Sequence, residues 1–117
     1  MIKRGVFNDG ISSIGTYLCD THPRTAIGLS EDKQTLYVVV VDDRRTNYVE
    51  GLDIYELADF MWGIGSYDAV NYDGGGSSTM VLRDEDEKAK ASFIVRNRPS
   101  DGSPRAVGNG LAIVEKD

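Results

Sequence analysis

The chain has 117 residues, 40% hydrophobic and 27% charged, a size that supports one globular domain burying about two-thirds of its unfolded surface. A formal net charge of −6 argues against a general nucleic-acid binder, whose affinity rests on cationic contacts to phosphate. Cys19 is the only cysteine, which excludes an intrachain disulfide and a multi-cysteine zinc site.

At the amino terminus, Met1 to Gly10 reach a polar Asn8-Asp9-Gly10 turn before any long apolar run develops, a pattern unlike a signal peptide. The longest apolar stretch, Leu36 to Val41, is too short to span a bilayer. The expectation is a soluble chain with no export signal of its own and no membrane partner, its location cytoplasmic or left open.

Thr25 to Leu29 and Thr35 to Val41 are β-branched and apolar segments around the polar Ser30-Glu31-Asp32-Lys33-Gln34, which reads as a hairpin. The second strand has no polar alternation, so a central position with both faces covered is expected. Asp53 with Glu56 forms a capping-box pattern, and Ile54, Leu57, Ala58, Met61 and Trp62 follow at helical spacing as a core-facing stripe. Gly63 and Gly65 close this helix.

Asp68 to Asp73, Ser77 to Leu82, Ser92 to Val95 and Leu111 to Val114 are further strand candidates. Arg83 to Lys90 is a mixed charge run expected at a solvated hairpin tip, and Asn97 to Pro104, with Pro99, Gly102 and Pro104, reads as a loop. These elements give a fold class of α/β (α+β): one domain over residues 1–117, a mixed β-sheet and at least one packed amphipathic helix.

The run Asn71-Tyr72-Asp73-Gly74-Gly75-Gly76-Ser77-Ser78-Thr79-Met80 concentrates the chemistry. Adjacent glycines leave the backbone bare where an acid and several hydroxyls meet, and successive N–H groups in such a turn can form an anion-binding concavity. The plain alternative is a bulged hairpin turn, with Asp73 capping only its own bend. Upstream, His22 stands two residues before Arg24, so in an extended chain their side chains share a face. A guanidinium suits phosphate oxygens, and an imidazole supplies a proton or a second donor near neutral pH.

The order His22-Pro23-Arg24-Thr25-Ala26-Ile27-Gly28, then Leu36 to Val41 with Asp42-Asp43-Arg44, then Gly51 to Ala58, then the Asn71 to Met80 run, resembles the phosphodiester glycosidase family. Asn97-Arg98-Pro99-Ser100 and Arg105 to Leu111 look like the family's closing segments. The resemblance runs from about His22 to Val114. It departs at Asp42-Asp43-Arg44, where the family usually has Asp-Gly-Arg, and in the short stretch from Met1 to Thr21, where family domains carry a longer segment. That shortness points to a minimal version, or to a homo-oligomer or a chain completed by another.

The resemblance implies hydrolysis of a sugar-1-phosphodiester into sugar and phosphate monoester. Phosphate is a good leaving group, so cations that receive its charge matter more than a strong general acid. Arg24, Arg44 and His22 are the candidates for that task. Asp73 and Asp42 are the candidate carboxylates for the cationic sugar-like transition state; Asp73, Asp42 and His22 thus form the catalytic set. Thr25, Asn71, Gly74, Gly75, Gly76, Ser77, Ser78, Thr79, Asn97 and Arg105 join Arg24 and Arg44 as expected binders of substrate or phosphate. The partner so implied is a sugar phosphodiester or a nucleotide-like small molecule.

Other chemistries fit less well. Gly75 to Thr79 approaches a nucleophile elbow, but Thr79 stands where the closing glycine belongs, and no lysine follows the glycines as a P-loop requires. Asp42, Asp43, Asn71 and Asp73 are hard oxygen donors of the kind calcium or magnesium takes, though their spacing matches no loop-type calcium motif; no cofactor is fixed by them. A binding module that sequesters a glycosyl phosphodiester without cleaving it is the alternative function, and an assembly domain that kept only the fold is the third.

Overall fold

The computed structural model describes residues 1–8, 19–43, 50–84 and 93–117. The chain folds as α+β: among the described residues a five-stranded sheet carries one helix of ten residues on one face, and a separate two-stranded sheet follows. Strand β1 (Ile2–Lys3) turns through Arg4 and Gly5 into β2 (Val6–Phe7). Arg4 and Gly5 have φ of 51° and 73°, the paired positive values of a type I′ hairpin turn. Sequence reading passed over this hairpin, because two-residue strands leave no measurable periodicity.

Strands β3 (Arg24–Leu29) and β4 (Leu36–Val41) form the expected hairpin, in unbroken register from Arg24↔Val41 to Leu29↔Leu36. Strand β5 (Asp68–Asn71) lies on the other side of β3, giving the order β2-β1-β5-β3-β4. Every pairing in this sheet is antiparallel.

Helix α1 (Ile54–Gly63) starts where its signal falls. Asp53 Oδ1 accepts from the N–H groups of Tyr55 and Glu56, each at 2.8 Å, and Glu56 Oε2 accepts from Asp53 N–H at 3.0 Å. This satisfies orphan donors of the first turn and contributes about 1 kcal/mol. The helix buries Ile54, Leu57, Ala58 and Met61 against Ile2, Ala26 and Ala69 of the sheet. Along β3 burial alternates, so Arg24, Ala26 and Gly28 point to the helix side. Gly28 lets the layers close: a Cβ there would stand 2.8 Å from Met61 Cε and 2.9 Å from Ser66 Cβ. Gly65, at φ 109°, ends the helical segment as expected.

Four expectations about the elements are corrected. Trp62 is not core but 48% exposed, with its ring 6.3 Å from that of Phe7. It lies one residue past Met61, a rotation of about 100° that carries it to the shoulder of the apolar stripe. Strand β4 is not central: among the described residues it pairs with β3 alone and forms the sheet edge, and none of its residues is fully buried. Of the proposed Ser77–Leu82 strand, Gly75–Ser77 is a 3-10 turn and only Val81–Arg83 extends, as β6, pairing with β7 (Phe93–Val95).

Leu111 to Val114 also fails to form a strand and lies exposed. The charge run beyond Asp84 lies outside the described residues. Among the described residues no helix is long and apolar enough to cross a membrane.

Candidate functional site

The glycine turn is placed by the β3–β5 ladder running past its last formal pair. Beyond Ala26↔Asn71, Tyr72 N–H donates to Thr25 O at 2.7 Å, and Gly75 N–H donates to Pro23 O at 3.0 Å. The turn is thereby zipped along the entry to β3, and Asp73 is brought beside the His22–Thr25 segment. Gly75 has φ 62° and is buried, a backbone state a side chain would oppose. Asp73 is exposed, its Oδ1 accepting from Gly74 N–H at 2.9 Å.

The free N–H cradle expected of the triple glycine is not what forms. Gly74 N–H goes to Asp73 Oδ1 and Gly75 N–H to Pro23 O. Ser77 N–H goes to Gly74 O at 3.3 Å, and Ser78 N–H to Gly75 O at 3.1 Å. These four donors are spent on Asp73, on Pro23 and within the 3-10 turn, and are not aimed outward as in an open nest.

Arg24 also departs from the phosphate-ligand expectation. It is only 1% exposed, with Nε donating to Leu52 O at 3.1 Å and Nη2 to Asp20 O at 2.8 Å. The parity that puts Ala26 against the helix puts Arg24 inward as well, where its fork ties two loop carbonyls together. His22 is half-buried and bridges Leu52 through the backbone. Thr25 is half-buried on the opposite face of β3. Arg44 lies outside the described residues.

Asp42, the second candidate carboxylate, has both oxygens engaged. Asn97 Nδ2 donates to Oδ1 at 3.0 Å, and Arg98 N–H donates to Oδ2 at 2.8 Å. Asn97 Nδ2 also donates to Ser78 O at 2.8 Å, while its Oδ1 accepts from Met80 N–H at 2.8 Å. Asn97 is therefore a buckle between the end of β4, the strand leaving the glycine turn and the segment after β7. An amide supplies two donors and an acceptor in one plane, and here they meet these three partners.

Arg105 is the cation that stands at the turn. Nε and Nη2 both reach Asp101 Oδ2, each at 2.8 Å, and the guanidinium remains half exposed. This pair rests on Gly76, where a Cβ would meet Asp101 and come within 2.6 Å of Arg105 Cζ. The glycine is thus explained by close approach of an ion pair. Around the same segment Asn71 Oδ1, Ser78 Oγ, Thr79 Oγ1 and Ser100 Oγ are buried without a hydrogen-bond partner among the described residues. Unspent polar capacity of this kind costs about 1–3 kcal/mol per group.

Sequence reading missed Asp101 as the partner of Arg105, and Asp43 as a buried wall of the site. Asp43 is 7% exposed, and Gly51, at φ 75°, packs on it: a Cβ at Gly51 would lie 2.7 Å from Asp43 Cβ and 2.8 Å from His22 O. The i,i+4 spacing of Asp101 and Arg105 was the one available signal. A cavity of about 720 Å³ lies elsewhere, lined by Met1 to Arg4, Val6 to Asn8 and Asp68 to Val70. None of the catalytic candidates lines it. Among the described residues no three His, Cys, Asp or Glu side chains gather as a metal centre would require.

The exposed Asp73 thus heads a glycine turn that is clasped to the entry of β3, with the Arg105–Asp101 pair resting on Gly76. The model of the phosphodiester glycosidase family matches residues 1–114, so the chain belongs to that family. The match begins at Met1, upstream of His22 where the recognisable motifs start. Among curated proteins no match was found.

Proposed function

We propose that this protein hydrolyses a sugar-1-phosphodiester, breaking the bond between the anomeric carbon and the phosphate oxygen. Water supplies the new hydroxyl on the sugar, and the departing group leaves as a phosphate monoester. The observation that carries the reading is the Gly75–Pro23 clasp, which presents the exposed Asp73 beside the His22 segment while Arg105 rests on Gly76. Asp73 stabilises the developing positive charge on the sugar and orients or replaces the attacking water. Arg105 receives the charge growing on the phosphate. Arg24 and Asn97 serve by holding the entry of β3 and the exit of the turn.

The test is incubation with a panel of sugar-1-phosphodiesters, nucleotide sugars among them, with free sugar and bound ligand scored together. Release of sugar that Asp73→Asn abolishes supports the proposal, and a panel giving neither binding nor product ends it. The second reading, a module that sequesters such a ligand without cleaving it, draws on Asp42, whose oxygens are both spoken for. That leaves one open carboxylate where glycosidases ordinarily use two. Saturable binding without product would select it.

A further inference from the structure

Two segments of this chain carry strand sequences with unmet demands. Strand β4, Leu36-Tyr37-Val38-Val39-Val40-Val41, is apolar on both faces, yet among the described residues it has a neighbour on one side only. Its six residues pair with β3 without a bulge, and it bears no charge or proline, the devices that normally blunt an edge. Leu111-Ala112-Ile113-Val114 is likewise apolar at successive positions. Leu111, Ile113 and Val114 are 56%, 67% and 83% exposed, with no element assigned.

We infer that residues 111–114 of one copy add as a strand to the β4 edge of a second copy, giving a reciprocal dimer. Strand addition supplies backbone hydrogen bonds to both unpaired rows and places alternate side chains on the two faces of the sheet. The occupant is argued from pattern and length. A tail apolar on both sides suits the end of a sheet whose own edge strand is apolar on both sides, and β4 is long enough to take all four residues. The strands β6 and β7 offer only three residues each. A symmetric exchange closes on itself and leaves no further edge of this type to propagate. The charge of −6 on each copy opposes association, so the dimer strengthens as salt rises. The inference goes beyond the reading of the glycine turn and does not depend on it.

The experiment compares the full chain with Ile113→Lys/Val114→Lys by sedimentation velocity and by amide hydrogen exchange. Because both residues are solvent-exposed in the single copy, the double variant keeps the fold, with the circular dichroism spectrum and thermal midpoint that the parent shows when dilute enough to be monomeric. The expected result is a concentration-dependent dimer for the parent, with protection of Leu36–Val41 amides that grows with concentration. The variant is expected to sediment as a monomer without that added protection. A peptide of residues 109–117 in excess should convert parent dimer to monomer while keeping β4 protected. A parent that stays monomeric at about 100 μM, a dimer that survives the double substitution, or β4 protection independent of concentration would each overturn the inference.

Discussion

Gly75 donates its backbone N–H to the carbonyl of Pro23 at 3.0 Å, so a turn leaving β5 is fastened to the entry of β3 by main chain alone. The bond requires Gly75 at φ 62°. Gly75→Ala forces a side chain into the left-handed region at about 1–2 kcal/mol. The thermal midpoint should fall by roughly 4–10 °C on the usual scale for a domain of this size, and release of sugar from a phosphodiester should fall more than tenfold. An unchanged midpoint with full turnover would show that the clasp is incidental.

Asp73 has its Oδ1 on Gly74 N–H, a bond that asparagine can also accept. Asp73→Asn should therefore fold with an unaltered urea midpoint, while kcat falls by about 10²–10⁴-fold, the range of a lost acid–base or nucleophilic group. Steady-state kinetics beside an unfolding curve separates this from a capping role, in which stability and turnover would both be retained.

The Asn97 amide serves Asp42, Ser78 and Met80 together. Asn97→Ala orphans a carbonyl and an N–H in a part-buried place and should cost about 2–6 kcal/mol by urea denaturation, at 1–3 kcal/mol per stranded group. Asn97→Asp should not restore stability, because it removes the donor and sets a second carboxylate against Asp42. A fully stable aspartate variant would contradict this account.

Much of this architecture is written in side-chain spacing. Asp53 and Glu56 announce the helix start, and the β3–β4 hairpin follows from two apolar runs around Ser30 to Gln34. The placement of β4 at an edge is not encoded in the same way, because an unalternating run of valines states only that both faces seek cover. Trp62 was misjudged because hydrophobicity does not say where an apolar stripe stops. At the site, the glycine turn stands out in sequence as a run of bare backbone beside an acid, but its fastening to Pro23 is a backbone contact between distant segments that no side-chain pattern records. The inward course of Arg24 was not legible either, since a guanidinium serves loop carbonyls as readily as phosphate. Asp43 drew attention as a metal donor, but its burial depends on Gly51, a contact between segments that no local pattern records.

Ser30 Oγ donates to Asp32 Oδ1 at 2.6 Å, and Gln34 N–H donates to the same oxygen at 3.0 Å. The hydroxyl first and the backbone donor second hold the Asp32 carboxyl below its ordinary value of 3.8. A carboxylate with a depressed folded-state pKa stabilises the native state above its unfolded pKa and loses that contribution as pH falls through the folded value. The midpoint gap between the parent and Asp32→Ala should thus be full near neutrality and close progressively below 3.8. Thermal melts across that interval give the check, and a gap constant with pH would contradict the hydrogen-bond origin.

Asn97 gives the molecule a mechanical property as well as a stabilising one. Its amide pins the tip of β4, through Asp42, to the carbonyl of Ser78 by two successive hydrogen bonds. The end of β4 and the backbone leaving the glycine bend thus share one side-chain amide. If a strand docks along β4, its binding and the loading of the bend become linked equilibria, each altering the other's free energy by an equal amount.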